Sequence, residues 1–243
     1  MLISKNEIKL ITSLQQKKYR LQHRLFVAEG QKIIQDFMQS GWIPKFLFAS
    51  EEAFLTQTEG RLISEKELQK ISSLKNQSGI LAVFEIPEAE KNTSNDLTVV
   101  LDAVRDPGNL GTIIRMCDWF GVKRLICSED TVDCYNPKVI QATMGSIARV
   151  EVTYQDIEVF LKEASLPVYA AVMEGENVYN QTLPQAAVLV MGNEGNGISE
   201  KILQQVTHHI TIPQFGKGEH AESLNVSTAT AILLSEFRRT TEK

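Results

Sequence analysis

The sequence predicts an α/β protein in which a small N-terminal α/β module precedes a larger domain built on a parallel sheet. Its 243 residues are enough for two modest domains, and a content of 43% hydrophobic and 23% charged residues is typical of folded chains. Between residues 98 and 213, short apolar runs alternate with helical patterns. Such alternation favours strands that helices cover on both faces, which is the arrangement of a parallel sheet.

The predicted N-terminal domain covers residues 1–90 and contains two short apolar runs, at residues 46–49 and 80–84. Before them, a helix with apolar residues on one face at positions 33–38 ends at Gly41, because glycine commonly terminates helices. These elements predict a small α/β module.

Residues 91–97 are polar and have no apolar period, which indicates a linker. The second domain is predicted to cover residues 98–243. Its strand candidates are the apolar runs at residues 98–102, 124–127, 168–172, 187–191 and 209–213. Ligands of parallel sheets bind beyond the carboxyl ends of strands, so the residues that follow each run are the candidate site residues.

The formal net charge of −5 is unevenly distributed, because residues 1–97 hold 13 basic and 12 acidic side chains and residues 98–243 hold 12 and 18. No acidic residue lies between Ile8 and Glu29, a stretch that contains Lys9, Lys17, Lys18, Arg20, His23 and Arg24. A local positive patch is what a polyanion such as RNA requires. The alternative is an ordinary solvated helix face, and the charges alone do not decide between the two.

Several classes of protein are excluded or disfavoured by composition. No apolar run approaches the ~18 residues of a membrane span, and the residues after Met1 lack the pattern of a secretory signal. Cys117, Cys127 and Cys134 form no CxxC pair, which predicts reduced thiols and no zinc site. We therefore expect a cytoplasmic protein without a metal and without a membrane partner.

The first candidate site segment, residues 101–121, follows the first strand of the second domain. A Pro-Gly turn precedes a helix that is predicted to begin near Asn109, to bury Ile113, Ile114 and Cys117, and to stop at Gly121. Arg115 lies nearly opposite Ile113 on this helix and so points away from the buried stripe. Taken alone, Arg115 is better explained as a surface partner of Asp118, and Asn109 as the helix N-cap.

The second candidate segment is a strand that leads directly into glycines at positions 192, 195 and 197, with Glu194 among them. Glycines allow close approach of the backbone to a ligand, and exposed N–H groups can surround polar atoms. The spacing matches neither the dinucleotide nor the P-loop fingerprint, and a carboxylate would repel phosphate. Glu194 suits a cationic or hydroxyl-bearing ligand; the alternative is an ordinary strand–turn–helix connection.

The third candidate segment begins with the strand that ends at Pro213 and continues through a polar, glycine-containing loop into a helix. Ser223 and Asn225 lie where this loop enters the helix. Helix capping alone would explain one of them.

In their order and spacing, the three segments resemble the SpoU (TrmH-type) family of RNA ribose methyltransferases, which belongs to the SPOUT superfamily. The resemblance rests on Asn-Leu-Gly-Thr-Ile-Ile-Arg at 109–115, Gly-Asn-Glu-Gly-Asn-Gly-Ile-Ser at 192–199, Ile-Thr-Ile-Pro at 210–213 and Glu-Ser-Leu-Asn-Val-Ser at 222–227. It spans about residues 98–239. In addition, the segment from Lys17 to Lys32 resembles the ribosomal-protein-like RNA-binding module that precedes this domain in many members.

The resemblance implies a deep trefoil knot, a homodimer with each active site near the subunit interface, and methyl transfer to a ribose 2′-hydroxyl of ribosomal or transfer RNA. It implies that S-adenosylmethionine binds to the loops of the knot. The residues carried over as cofactor-binding are Met191, Gly192, Asn193, Gly195, Ile212, Pro213, Ser223 and Leu224. Those carried over as catalytic are Arg115, Asn109, Glu194 and Asn225.

The role of Arg115 is open between a general base and a group that grips the adjacent phosphate. Arginine keeps its proton under nearly all conditions, so gripping the phosphate and orienting the hydroxyl requires less special help. In the N-terminal module, Lys17, Lys18, Arg20 and Arg24 are the RNA-binding candidates.

Two features depart from the family pattern. The loop at residues 214–222 is longer than the usual form, and Lys217 or His220 in it could contact cofactor or RNA or lie in solvent. Gln141 stands where many relatives carry a basic residue, which puts one contact to RNA or to a carboxylate in doubt. The competing hypotheses are an RNA-binding protein that keeps the fold without turnover and a small-molecule methyltransferase or nucleotide-binding α/β enzyme.

Overall fold

A computed structural model describes residues 3–55, 59–88, 96–216 and 223–239. The chain divides into two compact units, one made of residues 1–88 and 133–148 and the other of residues 89–132 and 149–243. The segment 133–148, which the sequence predicted to be part of the second domain, therefore groups with the N-terminal unit. Most of the predicted linker, residues 91–95, lies outside the described residues.

The helices and strands are numbered in chain order over both units. The helices are α1 (Lys5–Ser13), α2 (Lys17–His23), α3 (Gln31–Gln39), α4 (Glu65–Ile71), α5 (Pro107–Trp119), α6 (Pro137–Thr143), α7 (Ile157–Glu163), α8 (Glu200–Leu203) and α9 (Val226–Arg239). The strands are β1 (Leu25–Glu29), β2 (Phe46–Ala49), β3 (Arg61–Leu62), β4 (Ile80–Glu85), β5 (Thr98–Leu101), β6 (Arg124–Cys127), β7 (Glu151–Tyr154), β8 (Val168–Asn177), β9 (Val188–Met191) and β10 (His208–Thr211). No described helix is both long and apolar enough to cross a membrane.

The first unit contains a four-stranded sheet in the order β1-β4-β2-β3, in which β4 pairs antiparallel with β1 and β2. Ser4 and Ser64 begin α1 and α4 with capping boxes, in which each serine exchanges hydrogen bonds with a glutamate three residues later. The predicted α3 ends as expected, since Gly41 follows it with a φ of +87°. The α/β character of this unit is confirmed.

Tyr135 and Phe26 show why the segment 133–148 belongs to this unit. Their ring centroids lie 4.9 Å apart, and Phe26 is itself surrounded by Phe37, Trp42 and Phe84. Gln141 on α6 donates from Nε2 to the backbone oxygen of Glu29 at 2.7 Å. The amide at position 141 thus supports β1 from within the unit.

Arg20 corrects one of the predicted RNA contacts. Its side chain is 2% exposed and donates to Asp133 Oδ2 at 2.5 and 2.8 Å and to the backbone oxygens of Leu14 and Gln15 at 2.8 and 2.9 Å. A guanidinium that is buried and bonded in this way is not available to a polyanion. The prediction that Arg20 binds RNA is therefore wrong; Lys17, Lys18 and Arg24 are exposed.

The second unit contains a six-stranded sheet in the order β10-β8-β9-β5-β6-β7, and every pair in it is parallel. This confirms the predicted parallel sheet and all five predicted strands. The sequence did not reveal β7, which is an edge strand whose residues are all half-buried and of mixed polarity. The predicted knot stays a prediction, because the chain between β10 and α9 passes through residues 217–222, outside the described residues.

Candidate active site

The loops that follow β5 and β9 lie next to each other because these two strands pair along their whole length, from Thr98 opposite Val188 to Leu101 opposite Met191. Since both strands run in the same direction, their carboxyl ends meet at one edge of the sheet. The two motif segments that the sequence singled out after these strands are therefore neighbours in the fold.

Helix α5 begins earlier than the sequence predicted. Asp106 is the N-cap and its Oδ1 accepts from the backbone N–H of Asn109 at 2.8 Å, and Pro107 takes the first helical position. The prediction that Asn109 caps the helix was wrong, although Asp followed by Pro is a recognisable start signal. Because Asp106 supplies the cap, the side chain of Asn109 is left to make other contacts.

Asn109, Glu194 and Asn225 form a continuous chain of side-chain hydrogen bonds, which we call the polar chain. Asn225 donates from Nδ2 to Asn109 Oδ1 at 2.9 Å, and Asn109 donates from Nδ2 to Glu194 Oε1 at 2.8 Å. Asn225 is oriented by α9, whose first turn donates to its Oδ1 from the N–H groups of Ser227 and Thr228. Three of the four predicted catalytic residues are thus brought together from distant parts of the sequence.

Arg115, the fourth, is exposed on α5 and makes no hydrogen bond or ion pair within the part of the chain that the structure describes. The expected local partner, Asp118, is instead bonded by Arg149 at 2.7 Å. Six residues separate Arg115 from Asn109, which is about 9 Å along a helix axis. The structure therefore presents Arg115 to solvent and does not join it to the polar chain.

Glycines are required after β9 because the backbone of this loop packs closely against itself. A Cβ on Gly192 would lie 2.3 Å from the carbonyl carbon of Gly197, and Gly197 has a φ of +67°. Asn193 and Gly197 exchange backbone hydrogen bonds of 2.9 and 3.0 Å, and Asn193 Oδ1 accepts from the N–H of Gly195. A tight, internally bonded loop results, which we call the glycine loop (residues 192–199).

A shift of register between β8 and β10 lies beside this loop. His209 on β10 is opposite Ala170 on β8, whereas the next residue, Ile210, is opposite Glu176. Residues 171–175 of β8 therefore leave the ladder, and Gly175 lies so near the β10 backbone that a Cβ would be 2.8 Å from Ile210. Residues 171–173 of β8, the end of β10 and the glycine loop together border one space.

That space is a cavity of about 760 Å³ in the second unit. Its walls include every residue that the resemblance carried over as cofactor-binding, namely Met191, Gly192, Asn193, Gly195, Ile212, Pro213, Ser223 and Leu224. Glu194 of the polar chain lines it as well. Residues from four separate stretches of sequence thus border one cavity.

The cavity fits S-adenosylmethionine in size and chemistry. Its volume lies within the ~300–1,000 Å³ of ordinary ligand pockets. Ile212 and Leu224 provide apolar wall for an adenosyl group, and the Glu194 carboxylate faces the cavity with the charge that a sulfonium cation requires. Among the described residues, no cluster of His, Cys, Asp and Glu is arranged to hold a metal. Burial raises the pKa of the Cys117 thiol to about 12, so this thiol stays protonated at neutral pH.

The sequence missed several residues of the cavity. Val172 and Met173 line it because β8 leaves the ladder there, and no local pattern in the sequence predicts that shift of pairing. Phe215 also lines it and is 80% exposed. A phenylalanine within a polar loop is a signal in the sequence that could have identified it. Lys217 and His220, named above from the same loop, lie outside the described residues.

Comparison with protein families gives two matches that together span most of the chain. Residues 96–235 match the model of the SpoU rRNA Methylase family. Residues 5–82 match the model of the MRM3-like substrate binding domain. A curated relative, the 23S rRNA (guanosine(2553)-2′-O)-methyltransferase RlmP of Bacillus subtilis, is 29% identical over 235 residues, which is 93% of each protein.

Two solved structures are similar over nearly all of the chain. A structure described as an RNA methyltransferase of the TrmH family from Porphyromonas gingivalis is 36% identical with a TM-score of 0.91, covering 99% of this chain and 100% of that one. An AdoMet-bound rRNA methyltransferase from Sinorhizobium meliloti is 31% identical with a TM-score of 0.85, covering 100% of this chain and 99% of that one.

Proposed function

Because the chain belongs to the SpoU rRNA methylase family, we propose that it methylates the 2′-hydroxyl of a guanosine ribose in 23S ribosomal RNA, in the cytoplasm. The reaction class is that of the family, an RNA 2′-O-ribose methyltransferase, and its cofactor is S-adenosylmethionine. The choice of ribosomal RNA follows the Bacillus relative, whose name specifies a 23S guanosine. The observation that carries the proposal is the cavity that all eight candidate cofactor residues line beside the polar chain.

The cofactor supplies an activated methyl group on a sulfonium. The glycine loop and the residues Ile212 and Leu224 would hold it in the cavity, with the carboxylate of Glu194 near its cationic end. Asn109 and Asn225 keep Glu194 in place through their hydrogen bonds. The chain itself contributes a fixed negative charge and the orientation of the groups around it, which are a large part of catalysis in transfers of this kind.

We assign to Arg115 the task of gripping the phosphate next to the target ribose and of orienting the 2′-hydroxyl. Its exposure and its lack of a partner within the described chain leave its donors available to RNA. A guanidinium suits a phosphate because its donors match the phosphate oxygens in pairs. This role requires no loss of the arginine proton, in contrast to a role as general base.

The proposed assembly is a homodimer in which the part of α5 around Trp119 meets a second copy and Arg115 stays accessible at the edge of that contact, so that each active site lies near the subunit interface. Trp119 is 82% exposed and lies four residues after Arg115, so both side chains project from the same face of the helix. Tryptophan is a residue type that is enriched at protein–protein interfaces. Trp119→Glu should give a monomer by light scattering with reduced methyl transfer; an unchanged mass would contradict this assembly.

RNA affinity is assigned to the first unit through Lys17, Lys18 and Arg24, which follow one another along α2 and its C-terminus. All three are exposed, and Arg24 is fixed by a hydrogen bond of 3.1 Å to the backbone oxygen of Ile86. A positive surface of this kind supplies the salt-dependent, sequence-independent part of RNA binding.

The function is tested by mapping ribose methylations in total RNA from a strain that lacks the gene. We expect one guanosine of 23S rRNA to lose its 2′-O-methyl group, and the wild-type gene but not the Arg115→Ala variant to restore it. Loss confined to transfer RNA would contradict the proposed substrate. No loss from either RNA, together with no S-adenosylmethionine binding by calorimetry, would support the non-catalytic alternative.

A further inference from the structure

Two side chains, Asp102 and Asn193, join the loop after β5 to the glycine loop. Asp102 accepts through Oδ2 from the backbone N–H of Ser199 at 2.8 Å. In the opposite direction, Asn193 donates from Nδ2 to the backbone oxygen of Ala103 at 2.7 Å. We call these two reciprocal hydrogen bonds the loop clasp.

Ala103 shows that the clasp maintains a backbone conformation that would not arise by itself. Its φ of +58° lies in the left-handed region, which residues with a Cβ disfavour. Its carbonyl is bonded by Asn193, and its N–H donates to Ser128 Oγ, at the end of β6, at 2.9 Å. Such conformations persist only where the surroundings hold them, and they are concentrated at functional sites.

The clasp is better placed than the polar chain to fix the distance between the two loops. The bonds from Asn109 to Glu194 and from Asn225 to Asn109 are exposed, so water competes for every donor and acceptor in them. The clasp bonds are partly buried, and Asp102 itself is 8% exposed. Hydrogen bonds shielded from water hold geometry more firmly than exposed ones.

We propose that Asp102 and Asn193 are positioning residues, which hold the start of α5 against the glycine loop so that Asn109 meets Glu194 beside the cofactor cavity. The inference rests on the methyl transfer proposed above, and it assigns no direct contact with RNA or cofactor to the side chains of either residue. For Asn193 it replaces side-chain contact with the cofactor, since both polar atoms of its side chain are bonded to backbone groups.

Asn193→Asp removes the donor to Ala103 and keeps an oxygen that can still accept from the N–H of Gly195. The glycine loop should therefore stay closed while the introduced carboxylate repels the Ala103 carbonyl. We expect kcat with ribosomal RNA from a deletion strain to fall about ten- to a hundredfold, the size of effect that small misplacements produce. The KM for RNA and the affinity for S-adenosylhomocysteine, measured by calorimetry, should be unchanged.

The pH profile of this variant separates positioning from general damage. As the pH falls through its pKa, ordinarily about 3.9, an aspartic carboxyl takes up a proton and becomes a donor again. The activity of Asn193→Asp relative to the wild type should therefore rise as the pH is lowered from about 8 to about 4. A ratio that stays flat over this range would overturn the role of the Asn193 donor.

Asp102 is tested by a matched pair of variants that differ in the acceptor and not in charge. Asp102→Asn keeps an oxygen for the N–H of Ser199 and should retain kcat, whereas Asp102→Ala should lose it to the same extent as Asn193→Asp. Equal losses in both variants would show that charge matters and would overturn the clasp. Asn180→Asp is the control, because Asn180 is exposed and borders neither the cavity nor the clasp.

Hydrogen–deuterium exchange distinguishes failure of the clasp from failure of the proposed function. Exchange at residues 103–109 should increase in Asn193→Asp and Asp102→Ala and stay at the wild-type level in Asn180→Asp. If the wild type methylates no ribosomal RNA but these exchange changes occur, the proposed function is wrong and the clasp holds the loops as inferred. If exchange is unchanged in all variants, the clasp does not hold the loops, whatever the activity.

Discussion

The two units of this chain use polar side chains in opposite ways. In the first unit, the buried Arg20 pairs with the half-buried Asp133, and the Glu29 carboxylate, 3% exposed, accepts from the hydroxyls of Ser72 and Ser73. In the second unit, Asn109 and Glu194 meet in an exposed hydrogen bond, and Arg115 has no partner among the described residues. The first set stabilises a core, and the second set is exposed.

The comparison shows that residue type does not decide whether a basic side chain binds RNA. Arg20 lies two residues from Lys18 on α2 and belongs to the same acid-free stretch, yet its guanidinium is used entirely inside the unit. Removing one member of a buried ion pair leaves a desolvated charge without compensation, whereas removing an exposed group costs the fold little. Arg20 and Arg115 should therefore fail in different assays.

The largest expected effect is on stability. Arg20→Ala should lower the unfolding free energy of the first unit by about 3 kcal/mol, because the half-buried Asp133 loses its charged partner and the backbone oxygens of Leu14 and Gln15 lose their buried donor. Of the two tryptophans, Trp42 is in this unit, so urea unfolding followed by fluorescence in a Trp119→Phe background reports on it. Lys18→Ala, an exposed change on the same helix, should cost less than about 0.5 kcal/mol. Equal costs would contradict the burial of Arg20.

The second effect is on catalysis alone. Arg115→Ala should lower kcat about a hundredfold or more, because the target ribose is then no longer held in position for the transfer. Binding of S-adenosylhomocysteine and the unfolding free energy should not change, because Arg115 makes no hydrogen bond or ion pair with any residue that the structure describes. Arg239→Ala, at the exposed end of α9, serves as the control. Normal turnover by Arg115→Ala would remove this residue from the mechanism.

The third effect is on RNA affinity. Replacing Lys17, Lys18 and Arg24 together by glutamate should weaken RNA binding and reduce the slope of log affinity against log salt by about 0.7–0.9 for each phosphate that the variant no longer neutralises. The matched control reverses Lys66, Lys70 and Lys75, which are exposed in the same unit. Equal weakening by both triple variants would mean that overall charge, and no defined patch, attracts the RNA.

The smallest effect concerns Glu7, a half-buried carboxylate of the first unit. Hydrogen bonds from Arg61 and from the Ser4 backbone lower the pKa of Glu7 from 4.5 to about 2. A lowered pKa means that the stabilisation is complete above pH 4.5 and is lost as the pH falls towards 2. Glu7→Gln should cost less than about 1 kcal/mol at pH 7. The difference from the wild type should shrink below pH 4.5; a constant difference would exclude the carboxylate as its source.

Much of the second unit could be predicted because its signals are local. The five apolar runs became parallel strands, and the buried stripe of α5 at Ile113, Ile114 and Cys117 is fully buried. The edge strand β7 was not predicted, because its half-buried residues form no apolar run. The interruption of the β8–β10 pairing at residues 171–175 could not be predicted, because it depends on a strand more than 30 residues later.

By itself the sequence determined the strands and the glycine loop, because apolar periodicity and glycine spacing act over a few residues, and its resemblance to a known family pointed to eight of the residues that line the cavity. Only the tertiary structure decided that Arg20 is buried and paired with Asp133, 113 residues away, and that Asn109, Glu194 and Asn225 form one chain of hydrogen bonds. The physical reason is that burial and side-chain partnership depend on which distant segments meet. That meeting is set by the packing of the whole unit, which no local pattern contains.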